Sequence, residues 1–114
     1  MIKRLEVGPR MSHAVIHGNT VYLAGQVADD TGADVAGQTR QVLAAIDRLL
    51  AAAGTDKTRI LAATVYLADI GTFAAMNSAW DAWVAPGHTP ARATVEAALA
   101  TPAYKVEIVV TAAV

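Results

Sequence analysis

Two charged residues stand in the apolar last quarter of the chain, and they are the strongest candidates for chemistry. Arg92 lies within the run 90–96, and Glu107 lies within the run 105–110. A guanidinium or a carboxylate among apolar side chains costs free energy unless the charge is paired, solvated or used. Two interpretations remain open at this point. The runs form an antiparallel pair with its polar face in water, or they bring an anion-holding arginine beside a proton-handling glutamate.

Other catalytic chemistries have little support in the residue types and their spacing. The chain has no cysteine, which excludes thiolate nucleophiles, disulfide bonds and cysteine metal ligands. Its two serines, Ser12 and Ser78, lie outside any nucleophile-elbow sequence, and its eight glycines form no phosphate-binding loop. His13 and His17 share one face of a predicted strand but lie about 13 Å apart, because a strand rises about 3.3 Å per residue. His88 is alone in a predicted loop, so we expect no metal site.

A polar residue also interrupts the apolar stripe of the second predicted helix. Asn77 lies between Phe73 and Trp80 on that stripe, so its amide must find hydrogen-bond partners. Either it caps a carbonyl group of a neighbouring loop, or it faces the same cavity as Arg92. The sequence leaves both interpretations open.

The elements that must position these residues begin with the strands, which are short runs rich in Val, Ile, Thr and Ala. A two-residue Gly18-Asn19 loop joins two of these runs and predicts a β-hairpin. Gly25, just after the hairpin, indicates a bulge or a close approach of another group to the backbone. The run 60–68 is almost continuously apolar, which predicts a strand buried on both faces. The predicted strands are 2–7, 14–17, 20–24, 60–68, 90–96 and 105–110.

Two helices separate these strands. The first is expected to begin after Asp34 as the N-cap and to end at Gly54, and the second to begin at 69–72 and end before Pro86. The order β-β-β-α-β-α-β-β predicts an α+β fold in which both helices pack on one face of a single sheet. The other face is then apolar and uncovered unless a second subunit covers it. This predicts an oligomer.

Length and composition are consistent with a single domain over residues 1–114. Apolar residues make up 54% of the chain, which is more hydrophobic surface than one small domain easily hides, and this again favours self-association. Nine basic and ten acidic residues give a net charge of −1 without any basic run, so we expect no nucleic-acid partner. No apolar signal core or membrane-spanning run is present, so we expect no membrane association and a cytoplasmic location.

Several segments, in the same order and almost without gaps, carry a family resemblance. The most specific are Pro90-Ala91-Arg92 and Val106-Glu107-Ile108 at their present separation. The other matching segments are Gly8-Pro9, Ser12, Gly25-Gln26, 38–43, 64–67 and 73–77, and the match in the helices is the softer part. With these segments the chain resembles the Rid/YjgF family of reactive-intermediate (enamine/imine) deaminases.

The resemblance implies a chorismate-mutase-like fold and a homotrimer, with a central barrel of sheets and a cleft at each subunit interface. It implies a cofactor-free hydrolytic deaminase that converts 2-imino or enamine acids, such as 2-aminoacrylate or 2-iminopropanoate, to 2-keto acids and ammonia. In that role Arg92 would hold the substrate carboxylate, and Glu107 would position and activate the attacking water. No metal or organic cofactor is implied.

Three positions depart from the pattern common among deaminase members of the family. Met11 stands where they commonly carry Tyr, Ala24 where they carry Ser, and Thr94 where they often carry Cys. Met11, Gly25, Asn77 and Thr94 are the residues expected to contact the substrate beside the arginine. The loss of two polar contacts keeps a second hypothesis open, a regulatory trimer that binds a small carboxylate without chemistry. Ribonuclease or translation-inhibitor activity, attached to some members, is disfavoured by the balanced charge.

Overall fold

Six strands and two helices make up the chain in a computed structural model that describes residues 1–114. The helices are α1 (Val35–Ala52) and α2 (Phe73–Trp83), and short 3₁₀ turns at Lys57–Arg59 and Ile70–Thr72 precede β4 and α2. The strands are β1 (Ile2–Val7), β2 (Ser12–His17), β3 (Thr20–Leu23), β4 (Ile60–Leu67), β5 (Ala91–Glu96) and β6 (Val106–Ala113).

One sheet contains all six strands in the spatial order β1-β2-β3-β6-β4-β5. Neighbouring strands are antiparallel except β4 and β5, which run parallel and are joined through α2. Both helices lie against one face of this sheet and enclose a single hydrophobic core. The predicted element order and the α+β architecture are therefore confirmed.

Local signals set the ends of α1 as predicted. The Asp34 carboxylate accepts a hydrogen bond of 2.8 Å from the Gly37 backbone N–H, which caps the first turn. Gly54 follows the helix with a φ of +85°, a left-handed conformation that glycine adopts without steric cost. The core-facing stripe is buried at every predicted position: Val35, Val42, Ile46, Leu49, Leu50 and Ala53.

The second helix has only part of its predicted stripe buried. Met76 and Trp80 lie in the core, whereas Phe73 is 42% exposed at the first turn. At the other end, the Lys57 ammonium donates a hydrogen bond of 2.6 Å to the Trp83 carbonyl and so satisfies one terminal acceptor. Neither helix is long and apolar enough to cross a membrane.

The prediction that β4 is buried on both faces is wrong for the single chain. Ala63, Val65 and Leu67 are buried against the helices, but burial alternates along the strand, and Leu61 is 54% exposed. The physical reason is that the chain supplies a helix layer for one face of the sheet and nothing for the other.

The interpretation of the last two strands as an antiparallel pair is also wrong, because β4 lies between them. Arg92 on β5 is in register with Ala63 of β4, and Glu107 on β6 is in register with Tyr66 of β4. Side chains alternate along a strand, so Ala63 and Tyr66 point to opposite faces of the sheet. Arg92 therefore faces the helices and Glu107 faces away from them.

The face opposite the helices is uncovered, as predicted, and apolar side chains predominate on its β4, β5 and β6 strands, with Thr64 and Thr111 among them. Tyr22 and Val95 on this face are 51% and 41% exposed. We call it the open face. It carries Tyr22, Tyr66, Val95, Glu107 and Val109.

Candidate functional site

Arg92 lies on the helix face of edge strand β5, where α2 packs against it. One guanidinium N–H, on Nη1, donates a hydrogen bond of 2.8 Å to the Asn77 amide oxygen. The guanidinium carbon lies 5.0 Å from the ring centroid of Trp80 and 5.8 Å from that of Phe73. The Asn77 amide therefore meets Arg92, as the second of its two interpretations requires, and the substrate contact expected of Asn77 stays a prediction.

These contacts hold the guanidinium in place and leave some of its hydrogen-bond donors unused. The Arg92 Nε and Nη2 groups make no hydrogen bond within the chain, and the side chain is only half-buried. Contacts between a cation and an aromatic face stabilise by about 0.5–2 kcal/mol each, more when water is excluded. A planar group fixed in this way presents a parallel pair of N–H donors that matches a carboxylate.

Thr94 shares the helix face of β5 with Arg92, because the two residues are two positions apart on one strand. Its register partner is the buried Val65 of β4. The Thr94 hydroxyl oxygen is buried and has no hydrogen-bond partner in the chain. A buried hydroxyl without a partner costs free energy, so a ligand group or a water molecule that bonds it is favoured.

Glu107 stands on the open face over the backbone of Gly25. A Cβ atom on Gly25 would overlap the Glu107 carboxylate, whose Cδ would lie only 2.9 Å away. Two backbone hydrogen bonds between Gln26 and Ile108, of 3.0 and 3.2 Å, hold the segments in this position. The predicted close approach at Gly25 is thus confirmed. The carboxylate makes no ion pair or hydrogen bond in the chain, and its oxygens are available to accept a proton.

Two polar residues beside Gly25 were not identified as site neighbours from the sequence. The buried Gln26 amide nitrogen donates to the Ala24 carbonyl at 2.9 Å and lies 3.4 Å from His13 Nδ1. Only the Gly25-Gln26 pair in the family resemblance could have indicated this position. The contact with His13 depends on the pairing of β2 with β3.

The predicted site residues fall into two separate groups within one chain. The Arg92 group consists of Arg92, Asn77 and Thr94, and the Glu107 group consists of Glu107 and Gly25. The two groups are two strands apart, about 10 Å at the usual strand spacing, and they lie on opposite faces. Met11, 47% exposed just before β2, is four strands from β5, or about 19 Å. A small substrate cannot touch both groups of one chain.

No three His, Cys, Asp or Glu side chains come together in a group that could hold a metal ion. Arg92 has guanidinium donors free to bind an anion, and Glu107 has a carboxylate without a partner in the chain. The expectation that the protein needs no cofactor stays a prediction.

Comparison with known proteins decides the family. The family model described as Endoribonuclease L-PSP matches residues 1–114. The chain belongs to the Rid/YjgF family. This Rid/YjgF protein is 53% identical over 114 residues to a RutC family protein of Haemophilus ducreyi, with 100% of this chain and 97% of that relative covered.

Solved structures and a more distant relative agree with this placement. The fold matches a crystal structure of a YjgF family member from Neisseria meningitidis with a TM-score of 0.97 and 50% identity, covering 99% of this chain and 94% of that one. A protein of Capra hircus named 2-iminobutanoate/2-iminopropanoate deaminase is 35% identical over 108 residues, which cover 90% of this chain and 77% of the relative. The family and the fold are thus established for this chain.

Proposed function

We propose that this Rid/YjgF protein is a cofactor-free hydrolytic deaminase of 2-imino and enamine acids. The observation that carries the proposal is the Arg92 guanidinium, held by Asn77 and by the Trp80 and Phe73 rings with its Nε and Nη2 donors free. Hydrolysis also requires a proton acceptor, and the unpaired Glu107 carboxylate supplies it. The name of the Capra hircus relative, an imine deaminase, supports the same chemistry.

The active site in this proposal lies between two copies of the chain. Arg92 and Glu107 of one chain face opposite sides of the sheet, so only a second copy can bring its Glu107 group to the Arg92 group of the first. The apolar open face is suited to self-association. The assembly we propose is a homotrimer in which the open faces line a central barrel and each subunit interface holds one cleft.

Binding begins with the substrate carboxylate on Arg92. The two free donor groups of the guanidinium form parallel hydrogen bonds to the two carboxylate oxygens, which fixes the plane of the substrate. The Thr94 hydroxyl, which lacks a partner within the chain, donates to the substrate on the same side. Orientation of this kind converts the attack of water into an effectively unimolecular step.

Hydrolysis then needs one water molecule and one base. Glu107 of the facing subunit accepts a proton from that water as its oxygen bonds to the imine carbon, and the C=N electron pair moves to the nitrogen. The nitrogen takes up this proton, which leaves a tetrahedral carbinolamine. The hydroxyl proton then passes through Glu107 to the nitrogen, the C–N bond breaks, and ammonia and the 2-keto acid are released.

The test is ammonia release from freshly generated 2-aminoacrylate, which forms 2-iminopropanoate and decays spontaneously in water. The wild-type protein is expected to accelerate ammonia release well above the spontaneous rate, and a panel of other imino acids made in situ from amino acids ranks the substrates. A rate equal to spontaneous decay across the whole panel excludes the deaminase.

A second candidate function, a regulatory trimer that binds a small carboxylate without chemistry, is favoured by the residues at positions 11 and 24. The Met11 thioether and the Ala24 methyl group offer no hydroxyl to a bound ligand at the two positions where deaminase members commonly have Tyr and Ser. Saturable binding of pyruvate at Arg92, together with no acceleration of imine hydrolysis, supports this function instead.

A further inference from the structure

A groove runs between α1 and α2, and neither the Arg92 group nor the Glu107 group contributes to it. Its volume is about 330 Å³, which lies within the range of small-molecule sites. Buried Leu43 and Ala79 and exposed Ala44 and Ala82 form its apolar lining. The groove lies in the helix layer, so self-association through the open face of the sheet leaves it accessible.

The charged groups around this groove are hydrogen-bonded at one end only. There, the Trp83 indole N–H donates a hydrogen bond of 2.9 Å to the Asp47 carboxylate. The Lys57 ammonium donates to the Trp83 carbonyl and lies 5.2 Å from the centroid of its ring. At the other end, Arg40 lines the groove without any ion pair or hydrogen bond within the chain. Arg40, Asp47 and Lys57 together give the groove one net positive charge, and Arg40 is the one of the three without a hydrogen bond in the chain.

The geometry points to a binding site for a small organic anion with an unbranched apolar body. Its carboxylate bonds the Arg40 guanidinium, and its alkyl chain lies over Ala44, Ala79 and Ala82. Arg40 and Asp47 are seven positions apart on α1, which sets the length of the groove at about 10 Å. A medium-chain fatty carboxylate has this length, and it places no second charge at the end where Asp47 and Lys57 each bond to Trp83.

Octanoate and two-dimensional ¹⁵N NMR spectroscopy test the proposal on the whole protein. The chain has two tryptophans, Trp80 and Trp83, so the spectrum holds two indole N–H signals. We expect octanoate to shift the Trp83 signal saturably with a Kd of about 1 mM, the affinity typical of a ligand of about ten heavy atoms. Acetate, which has the charge without the alkyl chain, leaves the signal in place.

Two variants remove the two halves of the site. Arg40→Gln is expected to weaken octanoate binding about tenfold, as loss of a charge-assisted hydrogen bond does, and Ala82→Leu to abolish it by filling the groove. Arg10→Gln, an exposed arginine of the β1–β2 loop, is the matched control with unchanged affinity. The spectrum of each variant also reports whether it is folded.

Three outcomes overturn the proposal. The first is the absence of saturable shifts at about 10 mM octanoate, far above the expected Kd. The second is binding that Arg40→Gln and Ala82→Leu leave unchanged. The third is a Trp83 signal that changes with the protein concentration and not with the octanoate concentration. Such a change assigns the groove to a second copy of the chain.

Discussion

Arg92 can act as an anion site because its neighbours orient it. Asn77 accepts a hydrogen bond from one N–H of the guanidinium, and the Trp80 ring lies against the side chain, while the Nε and Nη2 donor groups have no partner in the chain. A freely rotating surface arginine would lose conformational entropy on binding an anion, and this arrangement reduces that loss.

Replacement of Arg92 by Ala is expected to lower kcat/KM for 2-iminopropanoate hydrolysis at least about a hundredfold, the effect of losing a substrate-orienting clamp. Arg92→Lys keeps the charge but cannot form the paired hydrogen bonds, so we expect an intermediate loss. The control is Arg10→Ala, with wild-type kinetics. A full rate in Arg92→Ala would falsify the assignment.

Replacement of Gly25 by Ala tests Glu107 without removing it. The new methyl group must displace the carboxylate, and because the end of a flexible side chain moves easily, the fold is expected to persist. Activity should fall about a hundredfold, as for a misplaced catalytic group, with little change in Tm. Gly32→Ala in an exposed loop is the matched control. Unchanged activity in Gly25→Ala would mean that the position of Glu107 is irrelevant to the reaction.

At the scale of elements, a side chain of α1 binds the backbone of the segment that leads into β6. The Gln38 side chain is fully buried, and its amide oxygen accepts a hydrogen bond of 2.9 Å from the Lys105 backbone N–H. Its amide nitrogen donates to the Ala103 carbonyl at 3.1 Å and to the Thr31 carbonyl at 3.2 Å. One helix side chain thus fixes the chain two residues before Glu107.

Gln38→Leu removes every hydrogen bond between this buried amide and the backbone, and we expect it to lower the free energy of unfolding by about 2–4 kcal/mol. Gln41→Leu removes exposed hydrogen bonds to Asp30 and should cost less than about 1 kcal/mol. Chemical denaturation of the two variants gives the comparison. Equal losses of unfolding free energy in the two variants would show that burial of the Gln38 hydrogen bonds adds nothing to stability.

A second contact between elements links β1 to α1 and carries a pH dependence. Arg48 donates a hydrogen bond of 2.6 Å to the Glu6 carboxylate, which holds the pKa of Glu6 below its ordinary value of 4.5. A lowered acid pKa stabilises the fold above the ordinary pKa, and the stabilisation disappears as the pH falls through the lowered value. The stability difference between wild type and Glu6→Gln should therefore be constant near neutral pH and shrink in acid. A difference that grows in acid would contradict this assignment.

At the scale of the whole molecule, the strand order separates the two groups that the proposed reaction needs. Because β4 lies between β5 and β6, the two groups are two strands apart, and the register with Ala63 and Tyr66 of β4 places them on opposite faces of one sheet. The apolar open face and the divided site therefore both support the homotrimer proposed above. Each cleft in that assembly takes its arginine from one copy and its glutamate from the next.

Mixed assemblies test this arrangement directly. Arg92→Ala and Glu107→Gln are each expected to be inactive alone. When equal amounts of the two chains are unfolded and refolded together, about one quarter of the clefts combine an intact arginine with an intact glutamate, so about one quarter of the activity should return. A site contained within one chain predicts no recovery at all.

Local features of the fold were predictable because each depends on neighbouring residues. The Gly18-Asn19 hairpin, the Asp34 cap and the Gly54 helix end arise from turn and capping chemistry within a few positions. Alternating and helical apolar patterns predicted the element order, because those patterns follow the geometry of the backbone itself. The double burial of β4 was wrong, since an apolar run does not show which of its faces the rest of the chain covers.

The sequence by itself determined which residues are candidates for chemistry, since the absence of cysteine, of serine motifs and of metal-ligand spacing left Arg92 and Glu107. Only the tertiary structure decided their neighbours. The Arg92–Asn77 contact and the contact of Glu107 with Gly25 join residues far apart in the chain. Such contacts follow from strand order and register, which are set by the packing of the whole sheet, and that packing placed the arginine and the glutamate on opposite faces.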